Sequence, residues 1–89
     1  MEKISNVKLK LTGKAAKYGQ EYLPVASIEK GNDDSIILAL KEVEEFRILN
    51  FIMTSMGEAV VLSPPELQQK ILDAAEKIKK NQAAVNSAT

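Results

Sequence analysis

Residue types that commonly do chemistry are thinly supplied in this chain. It contains no Cys and no His. That excludes disulfides, thiolate sites, the commonest general base and the commonest metal ligand. Three stretches hold enough polar atoms to be weighed. Asn32-Asp33-Asp34 could begin a cation loop, but the further oxygens and the closing Glu of such a loop do not follow. With Lys30 and Gly31 in front it reads as a tight turn, in which Gly and Asn accept positive φ and Asp caps backbone amides. Ser63 lies in no Gly-x-Ser-x-Gly setting and has only Lys available to activate it. Ser63-Pro-Pro-Glu66 instead has the form of a helix start. The Ser63 hydroxyl would accept from the Glu66 amide, the Glu66 carboxylate would reach back to the Ser63 amide, and Pro64 would take the first helical position. Glu42, Glu44 and Glu45 form the densest acidic cluster. As catalytic carboxylates they would need a pocket that a domain of 89 residues is too small to enclose, and they read as a solvated helix start. No catalytic, cofactor-binding or metal-ligating residue is therefore expected, and no enzyme.

The elements that place these residues follow from hydrophobic spacing. Residues 1–6 read as a lead-in. Val7, Leu9 and Leu11 alternate with Lys8, Lys10 and Thr12, the period of a half-buried strand. Ala15, Ala16, Tyr18 and Tyr22 fit a short helix over residues 14–22, weakened at Gly19 and ended before Pro24. Residues 25–29 and 35–43, on either side of the turn, form a hairpin. Glu44 and Glu45 lie in the first turn of a helix from about Val43 to Met56, with an expected apolar stripe of Phe46, Leu49, Met53 and Met56 and Ile52 beside it. Gly57 can end that helix, and residues 58–62 form a short apolar strand. A last helix over residues 66–80 carries Leu67, Ile71, Leu72, Ala74, Ala75 and Ile78 on one face, and residues 81–89 read as a flexible tail. The order β-α-β-β-α-β-α predicts an α+β, ferredoxin-like βαββαβ sandwich over residues 7–80. It has a four-stranded antiparallel sheet, two helices on one face and an added C-terminal helix.

The balance of 12 basic against 12 acidic side chains is zero overall and uneven locally. Residues 1–30 carry six Lys and three Glu, residues 31–66 two bases and seven acids, and residues 67–89 four Lys and two acids. A neutral domain with a single Arg is a poor autonomous DNA binder. No apolar stretch approaches the ~20 residues of a membrane span, and a cytoplasmic location is expected. The four aromatics, Tyr18, Tyr22, Phe46 and Phe51, all fall on predicted helices, which counts against base stacking on the sheet. The sheet face away from the helices should hold Lys8, Lys10, Ile37, Ala39 and Lys41, joined by Ala59 and Val61. Three Lys would then border a modest apolar patch, a candidate interface. Self-association is expected there or through the last helix.

With these elements placed, the chain resembles the C-terminal extension, or WCX domain, of WYL-domain transcriptional regulators, over residues ~5 to 80. The likeness rests on Val7-Lys-Leu-Lys-Leu11, on Ala15-Ala16, and on the apolar strand of residues 35–43. It continues through Phe46-Arg-Ile-Leu-Asn-Phe-Ile-Met53, Gly57 and Val60-Val-Leu-Ser-Pro-Pro-Glu-Leu67. Such regulators usually place a helix-turn-helix and a WYL domain before this extension. Neither is in this chain, so it reads as a fragment of a larger regulator. The resemblance implies a regulatory and oligomerisation module that helps to transmit an effector signal, from a nucleotide or nucleic-acid ligand, to the DNA-binding domain. Its partners would be a second copy and the WYL domain, with no direct DNA binding, no membrane and no cofactor. The alternative on the same fold is an ACT-like small-molecule sensor serving an enzyme, with Thr12-Gly13 as a faint form of its ligand loop.

Overall fold

The computed structural model describes residues 2–88, with residues 86–88 in backbone only. The chain runs β1 (Lys3–Leu11), α1 (Gly13–Tyr22), β2 (Ser27–Lys30), β3 (Ile36–Glu44), α2 (Glu45–Thr54), β4 (Ala59–Ser63) and α3 (Pro65–Ala88). The strands form one antiparallel sheet in the order β2-β3-β1-β4. This is the expected α+β arrangement with its C-terminal helix.

Alternation with lysine fixes which way β1 faces. Val7, Leu9 and Leu11 are fully buried, and opposite them across the ladder lie Leu40, Leu38 and Ile36. Ala15 and Leu23 from the α1 region and Ile48, Phe51 and Ile52 of α2 close over this face in a single core. Ile28 of β2 lies opposite Leu38 yet is half exposed, at the edge of the sheet.

Strand β1 starts at Lys3 and takes in residues that read as lead-in. Asn6 explains the difference. It breaks the alternation by sitting at φ +56, a left-handed conformation that Asn tolerates. Beyond it Ile4 packs against the core, and Lys3 pairs with Glu42 at 3.2 Å. At the other end, α3 continues through residues that read as a tail. The segment Gln82-Ala-Ala-Val85 is made largely of good helix formers, so the helix has no reason to stop at Lys80. Thr89, the last residue of that expected tail, lies outside the described residues, as does Met1 of the expected lead-in.

Two faces differ from expectation. In β4 it is Ala59 and Val61 that are buried, opposite Leu11 and Leu9, while Val60 and Leu62 are exposed. In α2 the buried side is Ile48, Phe51 and Ile52, and Phe46 and Met56 are 77% and 89% exposed. Both elements are apolar on two sides, so periodicity alone could not choose between them.

Candidate interaction surfaces

The hairpin turn is built by side chains. The Gly31 amide donates to the Ser35 carbonyl at 2.7 Å, and Asp34, rather than Gly31 or Asn32, takes the positive φ of +59. The buried Ser35 hydroxyl donates to Asp33 at 2.9 Å. That bond, with Lys10 at 3.6 Å, holds the Asp33 carboxyl below the ordinary carboxylate range. Asp33 and Ser35 therefore tie the turn together, and Asp33 pairs with Lys10 of the open face.

On that face the ladder aligns Lys8 with Ala39 and Lys10 with Ile37. Asn6, Lys8, Ala39, Lys41 and Ser63 border a shallow hollow of about 250 Å³. Ile37 and Ala39 are half-buried and Lys8 and Lys41 exposed. Val61 is not among them: it points into the core with Ala59, and the apolar contribution of β4 to the open side comes from Val60 and Leu62.

Ser63 is the last residue of β4, aligned with Lys8, and α3 begins two residues later at Pro65. The Leu67 and Gln68 amides donate to the Pro64 carbonyl at 3.1 and 3.2 Å. Ser63 and Glu66 thus do not form the expected reciprocal cap. Pro65, not Pro64, occupies the first helical position, and Glu66 contributes through its charge in the first turn. The edge of β4 is covered instead by Gln68, whose side-chain amide donates to the Val61 carbonyl at 2.9 Å.

Glu58 was not visible as a structural residue in the sequence, where it lies 43 positions from its partner. Its carboxylate accepts from the Ala15 amide at 3.2 Å, capping α1, and its carbonyl accepts from the Thr12 amide at 3.0 Å. The carboxylate lies directly over Gly13, which sits at φ +55. A helix N-terminus attracts anions, and here the chain supplies its own. Between α1 and α2 an open, mainly apolar cleft of about 680 Å³ is lined by Tyr18, Tyr22, Phe51 and Met56, with Lys14 and Glu58 at its rim. The Arg47 guanidinium lies 4.9 Å from the Tyr22 ring centre and donates to the Tyr22 carbonyl.

The start of α3 is tied to the start of α2 by Lys70 and Glu45, at 2.5 Å. The hydrogen bond between them lowers the Glu45 carboxyl below its ordinary 4.5 and raises the Lys70 amine above its ordinary 10.5. The pair's stabilisation is lost in acid as pH falls below 4.5 through the lowered value of Glu45. It is lost in base as pH rises above 10.5 through the raised value of Lys70. Lys70→Met is accordingly expected to lower the melting temperature at pH 7. Thermal melts across pH should show the gap from wild type closing below pH 4.5 and again above pH 10.5. A gap that persists at low pH would assign the effect to the lysine's methylenes instead.

The fold is that of a small α+β domain with a C-terminal helix and several exposed apolar side chains. Residues 4–79 match the family model of the WCX domain, and the chain belongs to that family. No curated protein matches, and no solved structure does. No helix among the described residues is long and apolar enough to cross a membrane.

Proposed function

We propose that this chain is the C-terminal regulatory and oligomerisation module of a WYL-type helix-turn-helix regulator. It acts in the cytoplasm, without catalysis of its own, and helps to carry an effector signal to a DNA-binding domain. The family match over residues 4–79 carries this reading. The open sheet face, with Lys8, Lys10, Ile37, Ala39 and Lys41, is the surface offered to a second copy or to the WYL domain. The bound effector, a nucleotide or nucleic acid, would sit in the WYL domain. The ACT-like alternative gains nothing from the geometry: the α1 N-terminus, where an acidic ligand would be held, is already taken by Glu58.

The gene decides between the two. A helix-turn-helix and a WYL domain encoded in frame upstream of Met1 support the reading; a catalytic domain there, or a transcript starting at Met1, overturns it. The 89-residue chain itself is expected not to shift duplex DNA selectively at physiological salt, because its net charge is zero and its one Arg is held against Tyr22. Sequence-selective retardation in a gel would contradict this.

A further inference from the structure

We propose that the cleft between α1 and α2 is a binding site for a flat aromatic carboxylate. This goes beyond the regulatory reading above, which places its effector in another domain, and it rests on the cleft alone.

The two helices run antiparallel and are tied together at both ends. At one end Arg47, near the start of α2, donates to the carbonyl of Tyr22, the last residue of α1. At the other, the segment after α2 bridges the pair. The Glu58 amide donates to the Ser55 carbonyl at 3.2 Å, while the Glu58 carboxylate and carbonyl accept from the Ala15 and Thr12 amides. Helix α1 also lies low on the sheet, since a β-carbon on Gly19 would meet Leu11 at 2.5 Å. What remains between the ties is a hollow of about 680 Å³, within the ~300–1,000 Å³ range of small-molecule sites. Because both ends are closed, neither a helix nor an extended chain can run through it. A compact molecule can enter from the open side.

The walls select rings. Tyr18 and Tyr22 lie one turn apart on α1, and both are exposed. Phe51 of α2 stacks with Tyr22, the ring centres 6.2 Å apart and the planes inclined by 17°. A flat ring packs on such faces offset or edge-on. Met56 stands at the mouth, almost fully exposed. It holds φ +55, a conformation that is costly for a residue other than glycine and that collects at functional sites. Its flexible thioether can fold over a bound ring, a contact that methionine sulfur favours.

The rim selects the charge. Glu58 is engaged by the Ala15 amide, so it also keeps the α1 N-terminus for itself. Lys14 forms no ion pair among the described residues. The free ammonium beside an aromatic wall complements an anionic group on the ring. A cation would meet Lys14 and find the only carboxylate of the rim in use.

The aromatic residues of the chain are Tyr18, Tyr22, Phe46 and Phe51, with no Trp or His. Three of them line the cleft and Phe46 does not, so the ring signals in a proton NMR spectrum carry their own control. Titration with naphthoate is expected to shift Tyr18, Tyr22 and Phe51 along one saturating curve and to leave Phe46 in place. The dissociation constant should be about 1 mM or lower. Naphthylmethanol and naphthylmethylammonium should bind about threefold more weakly, the scale of one exposed ion pair. Lys14→Met should bring naphthoate to the affinity of naphthylmethanol. Tyr18→Ala, at an exposed position, should weaken both by about fivefold or more while keeping its circular dichroism melt. Absence of saturation, equal shifts at Phe46, or equal affinity for the three charge types overturns the proposal. So does a Lys14→Met chain that binds naphthoate as before, and this arm holds even where Tyr18→Ala fails to fold. These outcomes do not depend on what lies upstream in the gene, and the gene-level test does not depend on them.

Discussion

Replacing Val61 with lysine is expected to unfold the domain, while the same change at Ile37 leaves it folded. Both are β-branched residues in strands of the same sheet, and the difference lies in the face. Val61 is 8% exposed and aligned with the fully buried Leu9. An ammonium placed there has no carboxylate to meet, since the surrounding core is aliphatic and aromatic. An unpaired buried charge costs roughly 3–5 kcal/mol, a large share of the ~5 kcal/mol total stability at the low end for small domains. Ile37 is half-buried on the side without helices, aligned with Lys10. Lysine there can lay its methylenes on the sheet and keep its charge in water, at about 1 kcal/mol or less. Circular dichroism melts of the two variants provide the measurement. A cooperative, near-wild-type melt for Val61→Lys with collapse of Ile37→Lys would reverse the two faces of the sheet.

That comparison also marks where residue patterning stops being informative. Strand β1 carries Lys8 and Lys10 on one side, and β3 sets Ile37, Ala39 and Lys41 against Ile36, Leu38 and Leu40, so their inward faces were legible, and with them the hairpin, the sheet and the element order. In β4 both alternating sets are apolar: Ala59 and Val61 against Val60 and Leu62. Nothing local distinguishes them; the alignment of Val61 with Leu9 does, and that is a long-range choice. Helix α2 presents the same degeneracy. Phe46, Leu49 and Met53 make an acceptable stripe, and Ile48, Phe51 and Ile52 make another. The connection from β3 decides, because the helix follows the strand directly and its rotation is inherited from Val43 and Glu44. The same limit hid Glu58, whose capping role depends on β4 ending its loop beside the start of α1. The open-face lysines were legible by alternation. The helical extension of α3 was obscured by its small, polar composition, which resembles that of a frayed end although Gln82, Ala83 and Ala84 are good helix formers.

Gly19 carries the second large effect, and it inverts the meaning that helix propensity assigns to it. Mid-helix glycine lowers helix stability by about 1 kcal/mol relative to alanine, so Gly19→Ala ought to help α1. In the fold Gly19 is buried against the sheet, and a β-carbon there would lie 2.5 Å from the Leu11 Cδ1 and 3.2 Å from both the Leu38 Cδ1 and the Phe51 Cζ. Leu11 and Leu38 are themselves fully buried, so neither has free space into which to turn. Overpacking of this kind costs roughly 1–3 kcal/mol. Gly19→Ala is therefore expected to be destabilising or neutral despite its propensity gain. Gly19→Val, with two further carbons, should lose about 3 kcal/mol, read from urea unfolding midpoints at constant slope. Leu11 is the nearest obstacle, and truncating it supplies a double-mutant test. Leu11→Ala alone should cost about 2–5 kcal/mol through its cavity. Gly19→Ala added to that background should recover part of the loss, because the new methyl enters the space left by Cδ1, giving a coupling of about 1 kcal/mol. Strict additivity, or stabilisation by Gly19→Ala in the wild-type background, would show that α1 does not rest on the sheet at this glycine.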